Sequence, residues 1–378
     1  MLKNERALWP MGDVMTSNIG YDLSMNFDLI IVGQGLAGSL LAWRLLQRGV
    51  SVLVVDNGHR NASSRAAAGL INPVTGMRLV KTRGVEQLLP AALDCYAELE
   101  QQFGVKLYHA KPMLRLFASE REVEAWQKRY ADPDYASWLG ERLTSAELPA
   151  GIKGPLGGYI QPQSGYLDTN LLMCTLRHWL QQQGAWLESE IDYAEIEPHT
   201  DGVCWRDVSA QRLVFCEGYR VMDNPWFGWL PLQPAKGEIL TLKPDRQPFE
   251  LMVNAGKWLI PLHDGNWRLG ASYDREHFDE ETSEEERERL LASLNELLID
   301  PHELELISHR AGVRSGTRDK MPLMGVHPEQ SPLFSFNGFG SKGSLLIPWH
   351  GERMADYLLE GRPLPDTVDI ARYQTLCH

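Results

Sequence analysis

The sequence predicts a mixed α/β fold. One unit has a parallel sheet assembled from separated segments, and a second, α+β unit of mainly antiparallel strands is inserted between them. Three observations predict this. Strand-sized apolar runs alternate with helical periodicity at 29–56, 164–191 and 333–361. Residues 236–275 instead alternate apolar and polar positions and are joined by turn signals such as Asp264-Gly265. A chain of 378 residues buries enough core for one or two domains.

The first element is "LIIVGQGLAGSLLAWRLLQRGVSVLVVD" at 29–56. Leu29 to Val32 read as a parallel strand covered on both faces. Gly33, Gly35 and Gly38 then fit G-x-G-x-x-G: the first permits a tight turn, the second admits a phosphate to the backbone, and the third allows close helix–strand packing. The spacing predicts a helix over 36–48, with Leu36, Leu40, Leu41 and Leu45 on one face and Gly49 beyond its end. Its first turn, Leu36 and Ala37, offers free N–H groups and the positive end of the helix dipole to a pyrophosphate. Val52 to Val55 form a second strand. Asp56 follows 18 positions after Gly38, suited to accept hydrogen bonds from ribose hydroxyls, with Asn57 beside it. The whole unit points to a dinucleotide site. The other reading is a tightly packed β-α-β turn with no ligand, and the unit alone does not distinguish NAD from FAD.

Residues 84–103 read as a helix and 105–118 as strands leaving this unit. In 164–191, Asp168 or Thr169 caps a helix with Leu171, Leu172, Leu176 and Leu180 as its stripe and Gly184 at its end. "RLVFCEG" (212–218) is another buried strand running into glycine. The acidic run at 279–291 reads as a solvated helix entry, with Ser283 and Glu286 placed for a capping box. Residues 333–361 return to strand, glycine loop and helix.

The bulk numbers exclude several classes. A net charge of −13 argues against nucleic acid as a partner. Five cysteines without a C-x-x-C suit a reducing cytoplasm and argue against a disulfide framework or a cysteine-rich metal site. The apolar runs are strand-sized, so no transmembrane segment is expected. Residues 1–25 lack the apolar core of a signal peptide and read as a loose tail or a short ordered arm. No histidine–carboxylate spacing suggests a metal, and His263, His309, His327 and His350 read as structural.

Four stretches carry a resemblance: the glycine turn, "SSRAAAGLINP" (63–73), "LIPLHDGNWRLGASYD" (259–274), and "AGVRSGTRDKMPLMGVHP" (311–328) with "FNGFGSKGSLLIP" (336–348). On these the chain resembles the D-amino-acid oxidase superfamily of FAD-dependent oxidoreductases, most closely glycine oxidases. It is also similar to the oxidase half of the bifunctional bacterial enzyme that modifies the tRNA wobble uridine. The resemblance implies a Rossmann-like FAD-binding domain at 26–82, 160–220 and 306–378. An inserted substrate domain would occupy 83–159 and 221–305, with 1–25 as a tail. It implies FAD as the cofactor, with Ser63, Ser64, Arg65, Ala67, Ala68, Gly69 and Leu70 passing the flavin ring. A flat ring lies against backbone only where side chains are small. It further implies that Gly340, Ser341, Lys342 and Gly343 close over the ring's other edge, and that Ile191 and Gly218 line the adenosine. Arg314 matches the arginine that grips a substrate carboxylate, a role suited to its planar fork.

The chemistry implied is hydride transfer from a C–H next to an amine onto the flavin, which needs positioning more than a catalytic acid or base. Three departures stand out. Trp258 replaces a substrate-facing tyrosine, the loop reads "GFGSKG" without the arginine of glycine oxidases, and Arg65 stands where covalent relatives have histidine. With no cysteine in "TRDKMPLMG", the FAD is expected to be non-covalent. Arg268 reads either as an oxygen-activating cation or as a strand arginine facing solvent. The expected activity is therefore oxidation of the C–N bond of a small amino acid or secondary amine, with Arg314, Trp258 and Lys342 at the reacting end. Two alternatives stand beside it: an oxidase acting on a modified tRNA base, and a non-catalytic flavin-binding protein. The sequence names neither the electron acceptor, O2 or a quinone, nor the oligomeric state.

Overall fold

In the computed structural model, residues 25–58, 62–245, 249–301 and 304–377 are described; the expected tail, apart from Met25, lies outside them. Two large sheets carry the architecture. The first has five parallel strands in the order Trp186–Glu188, Val52–Asp56, Met25–Val32, Val208–Phe215 and Leu333–Asn337. Leu323–Val326 extends it antiparallel, and the hairpin Ile196–His199 with Gly202–Trp205 branches from the start of Val208–Phe215.

The alternation of side chains across a strand decides what covers this sheet. Leu29, Ile31, Val52 and Val54 face a layer of helices, while Ile30, Val32, Leu53 and Val55 face Trp205, Phe215 and Phe227 on the opposite side. Leu36–Gln47 packs under Gly343–Glu360, which also meets Val85–Phe103. This explains one departure from the sequence reading. The first helix buries Ala42 and Trp43 as well as its leucine stripe, because it has protein on more than one side. The first strand is also longer than its apolar run, since Met25–Phe27 pair with Val208–Ala210.

The second sheet runs in the order Leu304–Arg314, Ala235–Pro244, Trp267–Gly270, Lys257–Pro261, Met252–Ala255, Met113–Leu116, Gly158–Gln161 and Arg142–Leu143. It is antiparallel except where Met252–Ala255 pairs parallel with Met113–Leu116. Helix Glu284–Leu297 covers one face through Leu290, Leu294 and Leu297; it starts where Ser283 Oγ accepts from the Glu286 N–H. The other face brings Ile239, Met252 and Ile260 against Ala68 and Tyr166. A small third sheet of Leu70–Ile71, Gly165–Leu167 and Tyr108–Ala110 joins the two, and the sequence reading did not pair these strands.

Candidate active site

The glycine turn is built as its spacing requires. Gly33 has φ +97°, and a Cβ there would stand 2.7 Å from the Cys216 carbonyl oxygen. A Cβ on Gly38 would collide with the Gly33 carbonyl, so this glycine serves helix–strand packing and does not line the cavity. Gly35 differs: its backbone is extended at φ −74°, and a Cβ would meet only Ser64 Oγ at 3.4 Å. The Leu36 N–H at the helix start donates to that same hydroxyl at 3.0 Å. Asp56 accepts from the N–H of Gln34 at 2.9 Å, from the N–H of Gly58 at 2.7 Å and from Arg177 at 3.2 Å.

The "SSRAAAG" stretch forms the short helix Ser63–Ala66 and then runs extended through Ala67. Gly69, at φ +67°, packs so tightly on the Leu167 carbonyl that a side chain has no room. Arg65 does not line the cavity; its carbonyl accepts from Arg310 at 3.2 Å. Arg268 neither faces solvent nor lines the cavity, because its guanidinium donates to the Ala67 carbonyl at 3.3 Å.

A cavity of about 790 Å³ runs along these elements. It brings together Gly33, Gly35, Leu36, Ala37, Asp56, Asn57, Ser63, Ser64, Ala67, Ala68, Gly69, Leu70, Ile191, Gly218, Trp258, Arg314, Gly340, Ser341, Lys342 and Gly343. Lys342, in the turn that opens helix Gly343–Glu360, donates to the hydroxyls of Thr75 at 3.1 Å and Thr82 at 2.7 Å. Burial pushes its ammonium down to about 8, with Lys320 adding to the effect.

Arg314 ends the long strand Leu304–Arg314 opposite Ala235. It donates to the carbonyls of Lys236 at 3.3 Å and Ser272 at 3.4 Å, beneath the Tyr273 ring at 5.8 Å. It lies close over Gly237, where a Cβ would collide with it. Burial lowers its pKa, and among the described residues no carboxylate pairs with it. A half-buried cation held only by carbonyls is a ready partner for an anion.

Several lining residues were missed by the sequence reading: Tyr193, Glu217, Asn254, Lys257 and Tyr273. Glu217 carried a signal, since it is a carboxyl placed between a buried strand end and Gly218. It accepts from Tyr193 Oη at 2.7 Å and from Asn224 Nδ2 at 2.9 Å. Burial nevertheless raises its pKa from 4.5 to about 7, the two hydrogen bonds opposing. The folded value lies above the unfolded one, so its stabilising contribution is complete below pH 4.5 and is lost as pH rises through about 7. Glu217→Gln is expected to flatten the fall in melting temperature between about pH 4.5 and 7 that this linkage produces. Identical slopes for the variant and the wild type would remove Glu217 from that role.

Among the described residues no group of histidine, cysteine or carboxylate side chains is arranged to hold a metal. His350 is buried with Nδ1 2.8 Å from the Leu346 carbonyl, and burial pushes it down to about 4.

Residues 28–357 match the DAO family, described as FAD dependent oxidoreductase. The chain belongs to this family. It is an FAD-dependent oxidoreductase, and its mixed α/β architecture is that of the family. It is 26% identical over 375 residues to the tRNA 5-methylaminomethyl-2-thiouridine biosynthesis bifunctional protein MnmC of Marinobacter nauticus, covering 92% of this chain and 57% of that protein. The chain thus spans little more than half the length of such bifunctional relatives. It is 25% identical over 377 residues to the glycine oxidase of Pseudomonas aeruginosa, covering 92% of this chain and 99% of that one. The crystal structure of glycine oxidase from Geobacillus kaustophilus superposes with a TM-score of 0.78 at 22% identity, over 92% of this chain and 98% of that one.

Proposed function

We propose that this protein oxidises the C–N bond of a small amine bearing a carboxylate, an amino acid or a secondary amine. The observation that carries this reading is Arg314, a half-buried guanidinium without a carboxylate partner among the described residues, in the same cavity as the glycine turn. The residues present fit FAD. Side chains are absent or no larger than a methyl where backbone lines the cavity, at Gly35 and along Ala67 to Gly69. Two buried lining oxygens, Asn57 Oδ1 and Asn72 Oδ1, have no partner within the protein.

In this reading the first turn of Leu36–Gln47, with Gly35, Leu36, Ala37 and Ser64, holds the pyrophosphate. Asp56 receives the ribose, and Ile191 and Gly218 line the adenosine. Ala67–Leu70 and Gly340–Gly343 would flank the flavin. FAD supplies the acceptor for a hydride from the carbon beside the amine. The chain's own residues position that carbon: Arg314 fixes the carboxylate, and Trp258 narrows the cavity beside it. Lys342 places positive charge at the loop that closes over the ring. We assign 26–82, 160–220 and 306–378 to the nucleotide part and 83–159 and 221–305 to the substrate part. Leu304–Arg314 links them, since it pairs with the antiparallel sheet and delivers Arg314 to the cavity. Action in the cytoplasm completes the proposal; no described helix is long and apolar enough to cross a membrane.

The test is anaerobic mixing of the yellow protein with glycine, N-methylglycine, alanine and aspartate, followed by flavin absorbance. Bleaching by at least one carboxylate-bearing amine is expected, and a flavin that none of them reduces would sink the reading. The FAD is expected to be non-covalent. Among the described residues no histidine lines the cavity, and the one cysteine that does, Cys216, lies beneath the glycine turn with its thiol pushed up by burial. Acid precipitation should therefore leave free FAD in the supernatant, and flavin retained in the pellet would contradict this.

A second reading, oxidation of a modified tRNA base, draws support from the bifunctional relatives. It requires tRNA to bind a chain of net charge −13 and to be released as salt rises. Salt-independent or absent tRNA binding would dispose of it.

A further inference from the structure

Beside Arg314 the cavity carries a second cation that the proposed reaction does not use. Lys257 opens strand Lys257–Pro261 next to Trp258 and lines the same cavity. Its Nζ donates to the Ala271 carbonyl at 2.8 Å, while Arg314 donates to the next carbonyl in the chain, that of Ser272. Consecutive carbonyls of one segment therefore hold the two cations, and the charge of Arg314 is felt at Lys257. Among the described residues no carboxylate is paired with either within ion-pair distance; of the charges beyond it, Glu286 acts on Lys257 more strongly than Arg314 does, and Glu296 less. An ammonium has three donors, and the Ala271 carbonyl takes one.

Two like charges set together in a partly dry cavity repel each other unless an anion lies between or upon them. A single carboxylate gripped by the Arg314 fork is satisfied by that fork and leaves the lysine unpaired. We infer that this site selects amines bearing two carboxylates, with Arg314 holding one and Lys257 the other. The inference rests on the amine-oxidation reading above and names its substrate class. The oxidation is unchanged: a hydride, carrying two electrons, leaves the carbon beside nitrogen for FAD, the nitrogen loses a proton, and a C=N bond forms. Tyr273, 60% exposed and stacked over Arg314, stands at the mouth where such a substrate would enter.

The experiment compares wild-type holoenzyme with Lys257→Met and Lys257→Arg in two measurements. The first is the anaerobic rate of flavin reduction by aspartate, both enantiomers, against alanine, and by N-(carboxymethyl)alanine against N-methylalanine. The second is binding of succinate against butyrate, read from the shift in flavin absorbance without turnover. In the wild type the dicarboxylate of at least one pair should be favoured tenfold or more. Lys257→Met should reduce that ratio about tenfold, and Lys257→Arg should keep most of it. If single-carboxylate amines reduce the flavin as well as their dicarboxylate partners, this inference falls and the amine-oxidation reading stands. If succinate binds through Lys257 but no amine reduces the flavin, the two-cation site stands and the reaction assignment falls. If nothing reduces the flavin and succinate binds no better than butyrate, both fall.

Discussion

Arg314→Ala should lower kcat/KM for a carboxylate-bearing amine about ten- to a hundredfold or more. A hydrogen bond to a charged group contributes roughly 1.5–3 kcal/mol, and each 1.4 kcal/mol is a factor of about ten in rate. Arg314→Lys keeps the charge and loses the planar fork, so it should recover only part of the loss. FAD content should stay the same, because the guanidinium contacts the Lys236 and Ser272 carbonyls and none of the glycine-turn residues. Those same contacts make a purely structural role the alternative, since they tie two strands to the segment that follows Trp267–Gly270. Substrate choice separates the two. The loss should shrink for an amine without a carboxylate, and equal losses on both kinds of amine would leave Arg314 a structural residue.

Gly35→Val should empty the cofactor site while leaving the fold intact. Valine adopts the extended backbone of Gly35 without strain, and the one neighbour of its Cβ is the Ser64 hydroxyl at 3.4 Å. Its methyl groups then occupy cavity space at the start of the first helix, where a phosphate would sit. The variant should be colourless, with the circular dichroism of a folded α/β protein. Gly38→Val provides the contrast, because its Cβ collides with the Gly33 carbonyl and should cost the fold as well as the flavin. A yellow Gly35→Val protein with a full complement of FAD would mean that the cofactor lies elsewhere.

Local pattern carried the glycine turn and its flanking strands, because turn, helix stripe and terminal acid all lie within 28 consecutive residues. The antiparallel character of 236–275 was equally legible, since alternation is a short-range signal. Strand partners were not. The parallel pairing of Met252–Ala255 with Met113–Leu116 joins segments that share no pattern. Among the site residues, the small ones were readable because backbone approach demands small side chains at particular spacings. Arg65 was misplaced, as its neighbours line the cavity and it does not. Lys257 and Glu217 were passed over for opposite reasons. A lysine opening a strand reads as surface, and a lone carboxyl after a buried strand reads as a turn. Only the tertiary fold shows that both border the same cavity.

The parallel sheet takes its strands from 25–56, from 186–215 and from 333–337, and helix Gly343–Glu360 roofs the first helix. This arrangement sets the timing of maturation. A nascent chain emerging from the ribosome can build the glycine turn early, yet the loop that closes the cavity is made after the other segments that line it. Until it arrives, the apolar faces of Leu36–Gln47 and Val85–Phe103 lack their cover, and such unfinished intermediates are prone to aggregate. A ligand enclosed by this cavity can therefore be captured only after residues 340–343 have been made. Chains stalled before residue 343 should accumulate as chaperone clients without cofactor, and abundant riboflavin should not rescue them.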